Sequence, residues 1–247
     1  MPTAVFVIVL IAAILFIVTV CGGILLALLL PAIQSSREYA RQVACKTDLH
    51  NIHMALEAYH IENDHYPPAY TVDENGQRLH SWRTLLLPYL GHQELYEQIR
   101  LDEPWDSPHN RQFSDAGIKA YQCPSAGDDE KAFTNYVVID GPEMIFRGST
   151  PTRKQQIKNG LAQTVLVAET ADTDIHWMEP RDLDFEKMVF RVNGSPDDVS
   201  SHHPGGVNAV MADGQVRFFS DTLDPMVWRA LLTPSGPREE FRLEFPF

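Results

Sequence analysis

The residues with the most chemical potential lie late in the chain. His202, His203, Asp197, Asp198 and Asp213 fall close together in sequence. Imidazole nitrogens and carboxylates jointly suit several transition metals. No spacing among these residues is diagnostic of a metal site, however, so His203 and Asp213 as ligands are the weaker reading. The stronger one is structural. Asp213 is then a turn residue, His203 ties a loop to a hairpin, and Gly205-Gly206 let backbone approach closely. Ser200 or Ser201 with a histidine would suit a serine hydrolase, but no G-x-S-x-G elbow is present. Asp128-Asp129 and Asp197-Asp198 could serve acid–base chemistry or hold calcium. Neither pair fits an EF-hand loop, and adjacent acids in loops are usually solvated. Trp82, Trp105 and Trp177 could line a sugar-binding surface, although tryptophans in a small head are more often core.

The three cysteines pose a separate question. Cys21 sits in an apolar run and reads as a small apolar residue. Cys45 and Cys123 would form a disulfide if the surrounding compartment is oxidising, and remain buried thiols if it is not. They are expected to lie close in space, within the Cα separation of about 7 Å that a disulfide needs. No C-x-x-C spacing occurs.

These residues must be positioned by elements, and the first is a helix. From Thr3 to Ser36 there is no charged side chain. A bilayer takes about 20 apolar residues at 1.5 Å each, and only a helix or a closed barrel can cross. Residues 1–33 therefore read as a transmembrane helix. Residues 34–66 continue it as an amphipathic spine. Cys45, Leu49, Ile52, Leu56 and Tyr59 share one face at spacings of four, three, four and three. Asn63-Asp64 and Pro67-Pro68 end the run, and Pro31 is a point where it can kink. A cleaved signal is a poor fit, because the start lacks a basic region and the apolar run is too long. Val20 before Cys21 argues against a lipidation site. Arg37, Arg41 and Lys46 alone would place the head inside.

Residues 67–247 read as one globular head, built with the spine. Asn75-Gly76 is a turn. TNYVVI (134–139) and TVLVA (164–168) are strands, the second suited to the middle of a sheet. Residues 170–201 are a long acidic loop, either functional or packed over the head. VNAVMA and QVRFF flank Asp213-Gly214, which reads as a two-residue hairpin turn with positive φ at both positions. Asp224-Pro225 starts a helix with Asp as N-cap. The net charge of −13, without a basic cluster, argues against nucleic acid as a partner.

Several stretches together resemble a bacterial family of pilin-like proteins of unknown function. They are LLLPAIQSSREYARQVACKTDLHNIHMALEAYH, SWRTLLLPYL, LDEPWDSPHN, YQCPS, TNYVV and WRALLT, with nine residues between His203 and Asp213-Gly214. Family members carry a prepilin-type N-terminal segment. Here the basic leader is missing, Val9-Leu10 stands at the cleavage point, and Ile14 replaces the assembly glutamate. The resemblance implies a pilin-like lollipop of α+β class, with an antiparallel sheet packed on the spine. It implies an uncleaved single-pass anchor with the head exported to the cell envelope. The expected function is non-enzymatic, through assembly or protein interaction, with no cofactor. The alternative is a membrane-anchored solute- or sugar-binding module, metal-assisted through residues such as His203 and Asp213. The small-molecule ligand is not specified by the residues.

Overall fold

The computed structural model describes residues 2–127, 132–171 and 173–236. It is of mixed α+β class. The chain divides into two compact units, Met1–Arg41 and Gln42–Phe247, each described by itself.

The described residues of the first unit belong to α1, Pro2–Asn63, with Pro31 inside the helix. From Phe6 to Ile33 its large apolar side chains are exposed. Two of its hydroxyls bond back along the helix: Thr19 donates to the Leu15 carbonyl and Ser36 to that of Ala32. Arg41 pairs with Glu38 one turn earlier.

In the second unit α1 turns amphipathic. Cys45, Leu49, Ile52 and Leu56 have no exposed surface, and Tyr59 packs at the edge of the same core. This is the face predicted from spacing. The helix stops at Asn63, and Asp64 follows in the left-handed region at φ 64°. A small hairpin follows, β1 (Tyr70–Val72) and β2 (Arg78–Ser81), turning at Gly76 with φ 82°. Two short helices come next, α2 (Trp82–Leu85), capped by the Ser81 side chain, and α3 (Gln93–Gln98).

The predicted 134–139 strand is split into β3 (Tyr136–Val137) and β4 (Ile139–Asp140). Then come β5 (Val165–Glu169), β6 (Leu183–Asp184), β7 (Gly206–Met211), β8 (Val216–Ser220) and α4 (Pro225–Leu232). The central sheet has the order β3-β5-β7-β8, antiparallel throughout. β5 is interior to it and fully buried, as its unbroken apolar run required. β4 and β6 form a separate parallel pair.

Both faces of the sheet are covered. Val210 and Ala212 join the core that contains Cys45, Leu49 and Ile52. Val207, Ala209 and Met211 join a second core with Trp228 and Leu231 of α4. β7 alternates between the two with the two-residue period of a strand. The N-cap of α4 is Asp224, whose carboxylate accepts from the Met226 amide at 2.7 Å.

The long acidic loop is packed over the head. Asp182 accepts from the Arg83 guanidinium at 2.6 Å, from the Trp82 indole at 3.1 Å and from the Val138 amide at 3.0 Å. Burial pushes the Asp182 carboxyl up to about 6, with Arg83 opposing.

The hairpin turn differs from expectation. Positive φ occurs at Gly214 (90°), while the non-glycine positive-φ residues among those described are Asp64, Phe190 and Asn193. The Gly214 amide donates to the Met211 carbonyl at 2.9 Å, and the Met211 amide to Gln215 at 2.9 Å. The loop is therefore Ala212-Asp213-Gly214: a turn centred on Ala212 and Asp213, closed by a left-handed glycine. This is the three-residue form of hairpin. Asp213 contributes through its side chain, which accepts from the Gln215 amide at 3.0 Å.

Candidate functional site

The groups with the most chemistry converge beneath the spine face of the sheet. α1 supplies Cys45 from its buried face. Cys123 comes from the segment before β3, where its own amide donates to Asn135 Oδ1 at 2.7 Å. The two Sγ atoms are 2.6 Å apart. His203, from the bend before β7, places Nε2 3.6 Å from Cys123 Sγ and 3.6 Å from Glu169 Oε1. Exposure is 0% at Cys45, 5% at Cys123, 2% at His203 and 1% at Glu169.

Glu169 reaches this face because β5 carries a bulge. Val165 pairs with Met211 and Val167 with Val210, so two steps along β5 match one along β7. Leu166 and Val167 consequently both belong to the spine-side core. Without the extra residue the alternation would turn Glu169 to the α4 side. Bulges commonly re-aim a side chain in this way. The carboxylate is then held by three donors. Oε2 accepts from the Asn208 amide at 2.7 Å and the Ser201 hydroxyl at 2.8 Å, and Oε1 from Asn208 Nδ2 at 2.9 Å. A buried carboxylate needs such partners. Burial still raises its pKa, against the pull of these donors and of His203.

As thiols the two sulfurs divide their acidity. The hydrogen bond from Cys45 holds Cys123 well below the usual thiol range, helped by His203 and the Ser125 amide. The same contact, with burial, raises Cys45. Asp48, one turn along α1, is pushed up to about 7, chiefly by burial and then by the charge of Cys123. The Tyr136 hydroxyl donates to the Cys45 carbonyl at 3.4 Å.

Cys45 and Cys123 thus lie together, as their sequence reading expects. His203 is set against Cys123 and Glu169, and Glu169 takes the hairpin amide of Asn208. The link from His203 to the hairpin runs through that carboxylate. Asp213 is exposed at the far end of β7, and a six-residue strand separates it from His203 by roughly 20 Å. The pairing of His203 with Asp213 on one metal is excluded by that distance. Among the described residues, the group of donors close enough for a metal is Cys45, Cys123 and His203, within 4.8 Å of one another.

The glycines of the motif have distinct reasons. A Cβ on Gly206 would stand 2.0 Å from the Phe219 carbonyl oxygen, so that position needs close backbone approach. A Cβ on Gly214 would stand 2.8 Å from His53 Cε1 on the spine, in addition to its φ of 90°. Gly205 has φ 85° and open space around it.

The remaining candidates fall into structural roles. Asp198 is fully buried and accepts from the Phe190 amide and the Ser195 hydroxyl, while Asp197 is exposed. Ser200 bonds both the amide and the carbonyl of Ala171. Trp82 and Trp177 are core; Trp105 is half-buried and stacks on His176 with ring centres 5.0 Å apart. Asp128-Asp129 lie outside the described residues, as does the charged tail from 237 on. A cleft of about 350 Å³ is lined by Arg78, Asp140, Arg181, Asp184 and Lys187 among others, and includes neither His203 nor Asp213. Its charges answer one another: Arg181 pairs with Asp174 and Glu179, and Lys187 with Asp184.

Sequence reasoning missed Glu169, Asn208, Asp48 and Tyr136. The available signal was a polar residue in an otherwise apolar strand: Glu169 closing VLVAE, and Asn208 within VNAVM.

No curated protein and no solved structure matches this chain. A family model described as "Protein of unknown function (DUF1559)" matches residues 34–144 and 187–226. The match includes Cys45, Cys123, His203 and Asp213-Gly214, and it covers more than half of the chain. The chain belongs to this family of bacterial proteins.

Proposed function

We propose that this protein is a non-enzymatic, single-pass, membrane-anchored envelope protein of pilin-like build, whose head works outside the cytoplasm by assembly or protein contact. One observation carries the reading. α1 is long and apolar enough to cross a membrane, and its most apolar stretch is wholly unburied. Leaving that surface in water would cost about 25 cal/mol for each Å², so lipid is its natural surrounding. The pilin-like build is supported by the way one helix carries both this stretch and the buried face under an antiparallel sheet.

The chemistry of the buried cluster supports the non-enzymatic half of the reading. Cys123, His203 and Glu169 have the residue types of a thiol-based triad. The Cys45 sulfur, however, stands 2.6 Å from Cys123 Sγ, and none of the four side chains is more than 5% exposed.

The test uses the full chain in a bacterial host. Alkaline extraction should leave it with the membranes, and protease added to spheroplasts should digest the head. Crosslinking in intact cells should give discrete higher-mass species. Release into the soluble fraction, or a head protected from external protease, would overturn the anchor or the orientation. A purely monomeric crosslinking pattern would overturn assembly.

A further inference from the structure

We propose that Cys45 and Cys123 are joined by a disulfide in the working protein, fastening the buried face of α1 to the segment that leads into β3. The inference rests on the reading of the head as exported, because an oxidising compartment supplies the oxidant that forms such a bond.

The geometry carries it. The two sulfurs stand 2.6 Å apart. Unbonded heavy atoms rest at roughly 3.5–4.0 Å, and bonded sulfurs at about 2.05 Å. The two free thiols are therefore in direct contact, and a small movement brings them to bonding distance. A metal is the competing occupant, with His203 as third ligand. A tetrahedral zinc ion holds thiolates at about 2.3 Å, which sets its two sulfurs about 3.8 Å apart. Reaching that separation means spreading the pair by about 1 Å within a close-packed interior. Cys45 has no exposed surface, and neither do Leu49 and Ile52 in the same core. Closing to a bond needs roughly half that movement.

The oxidant is a disulfide, either glutathione disulfide or that of a thiol–disulfide oxidoreductase. Water takes the Cys123 proton in the part-folded head. The thiolate attacks one sulfur of the oxidant, forming a mixed disulfide and releasing one thiolate. Cys45 then loses its proton and attacks Cys123 Sγ, which releases the second thiolate. Two electrons pass from the protein sulfurs to the oxidant, and the two protons end on the two thiols released. Because the folded cluster is closed to solvent, exchange takes place while the head is still folding. Once closed, the bond is out of reach of soluble reductants.

The residues are 78 apart in sequence, so the bond closes a long loop and restricts the unfolded chain. Reducing it should lower the melting temperature by roughly 10 °C.

The experiment takes the full chain from the envelope of a bacterial host, denatures it without reductant, alkylates it and measures the intact mass. The expected result is one adduct, on Cys21, rising to three after reduction. A non-reduced digest should contain the Cys45 and Cys123 peptides linked. Reductant added before denaturation should leave one adduct. Three adducts from cells would overturn the proposal. Refolding the same chain in a glutathione redox buffer then tells why. A bond formed there places the fault with the exported head, whereas three adducts there too place it with the pairing itself. Stoichiometric zinc retained alongside three adducts would assign the site to a metal.

Discussion

The two faces of the central sheet are both covered and differently built. On the α4 side, Val207, Ala209 and Met211 meet Trp228, Leu231 and Leu232, and apolar contact is the main cohesion. On the spine side the same strands turn Glu169, Asn208 and Tyr136 towards Cys45, Cys123 and His203. An apolar face tolerates shape changes of modest size. A polar cluster in low dielectric does not, because each unpartnered group carries its full desolvation penalty. The α4 face should therefore respond to lost volume, and the spine face to lost partners, pH and redox state.

The largest effect is expected at Trp228, which is fully buried. Trp228→Ala should destabilise the head by about 3–5 kcal/mol in denaturant titration, equally in oxidising and reducing buffer. Trp228→Phe should keep most of that, since the indole N–H has no partner among the described residues. A loss that depends on reductant would break the separation of the faces.

Glu169 tests the other side. Glu169→Ala strands the two buried donors of Asn208 and the half-buried Ser201 hydroxyl, and should cost about 3 kcal/mol, at about 1–3 kcal/mol for a stranded group. Glu169→Gln keeps an acceptor and should cost about 1 kcal/mol at acid pH. The pH dependence sharpens this. The folded carboxyl is raised above its ordinary value by burial, so the folded state holds its proton longer than the unfolded chain. Wild-type stability should fall as pH rises from the ordinary carboxyl pKa of about 4.3 through the folded value. The Gln variant should lack that fall. Parallel stability–pH curves for the two proteins would contradict the account.

Gly214 joins the hairpin to the spine. Gly214→Ala should cost about 1–3 kcal/mol, for a left-handed backbone and a clash with His53. Adding His53→Ala should return only the clash, leaving the backbone cost. Full recovery in the double variant would show that φ contributes nothing.

The spacing of Cys45, Leu49, Ile52 and Leu56 was enough to place the buried face of α1, since helical periodicity survives any tertiary context that buries one side. Asp224-Pro225 and the 207–219 hairpin were equally readable, because caps and turns are local. The Asp213-Gly214 turn was readable in place but not in type: a two-residue and a three-residue loop share the same pair, and only the Val210–Val216 register separates them. The cluster itself was half visible. Cys45 and Cys123 drew attention by residue type, and His203 by its motif. Glu169 did not, because its direction depends on a bulge whose extra residue leaves no mark in an apolar run. His203 and Asp213, the weaker metal reading, stand apart because they flank the two ends of one strand.

The smallest expected effect is also the one that joins pH to redox state. Asp48 is partly buried on α1, and its pKa is raised from 3.8 to about 7, first by burial and then by the charge of Cys123. The unfolded chain ionises near 3.9, so wild-type stability should decline between about pH 4 and about pH 7 and then level off. Asp48→Asn mimics the protonated form. It should match wild type near pH 4 and exceed it near pH 8. Taken at full strength, that rise in pKa would amount to about 4 kcal/mol by linkage. The carboxylate is partly solvated, and a Cys123 thiolate exists only in reduced protein, so a gain of about 1 kcal/mol is expected. Chemical denaturation of both proteins at pH 4 and pH 8 measures it. A gain that is larger in reduced than in oxidised protein would tie Asp48 to the Cys123 charge. A gain present in full at pH 4 would show that the substitution acts through packing, and that this part of the spine face behaves like the α4 face.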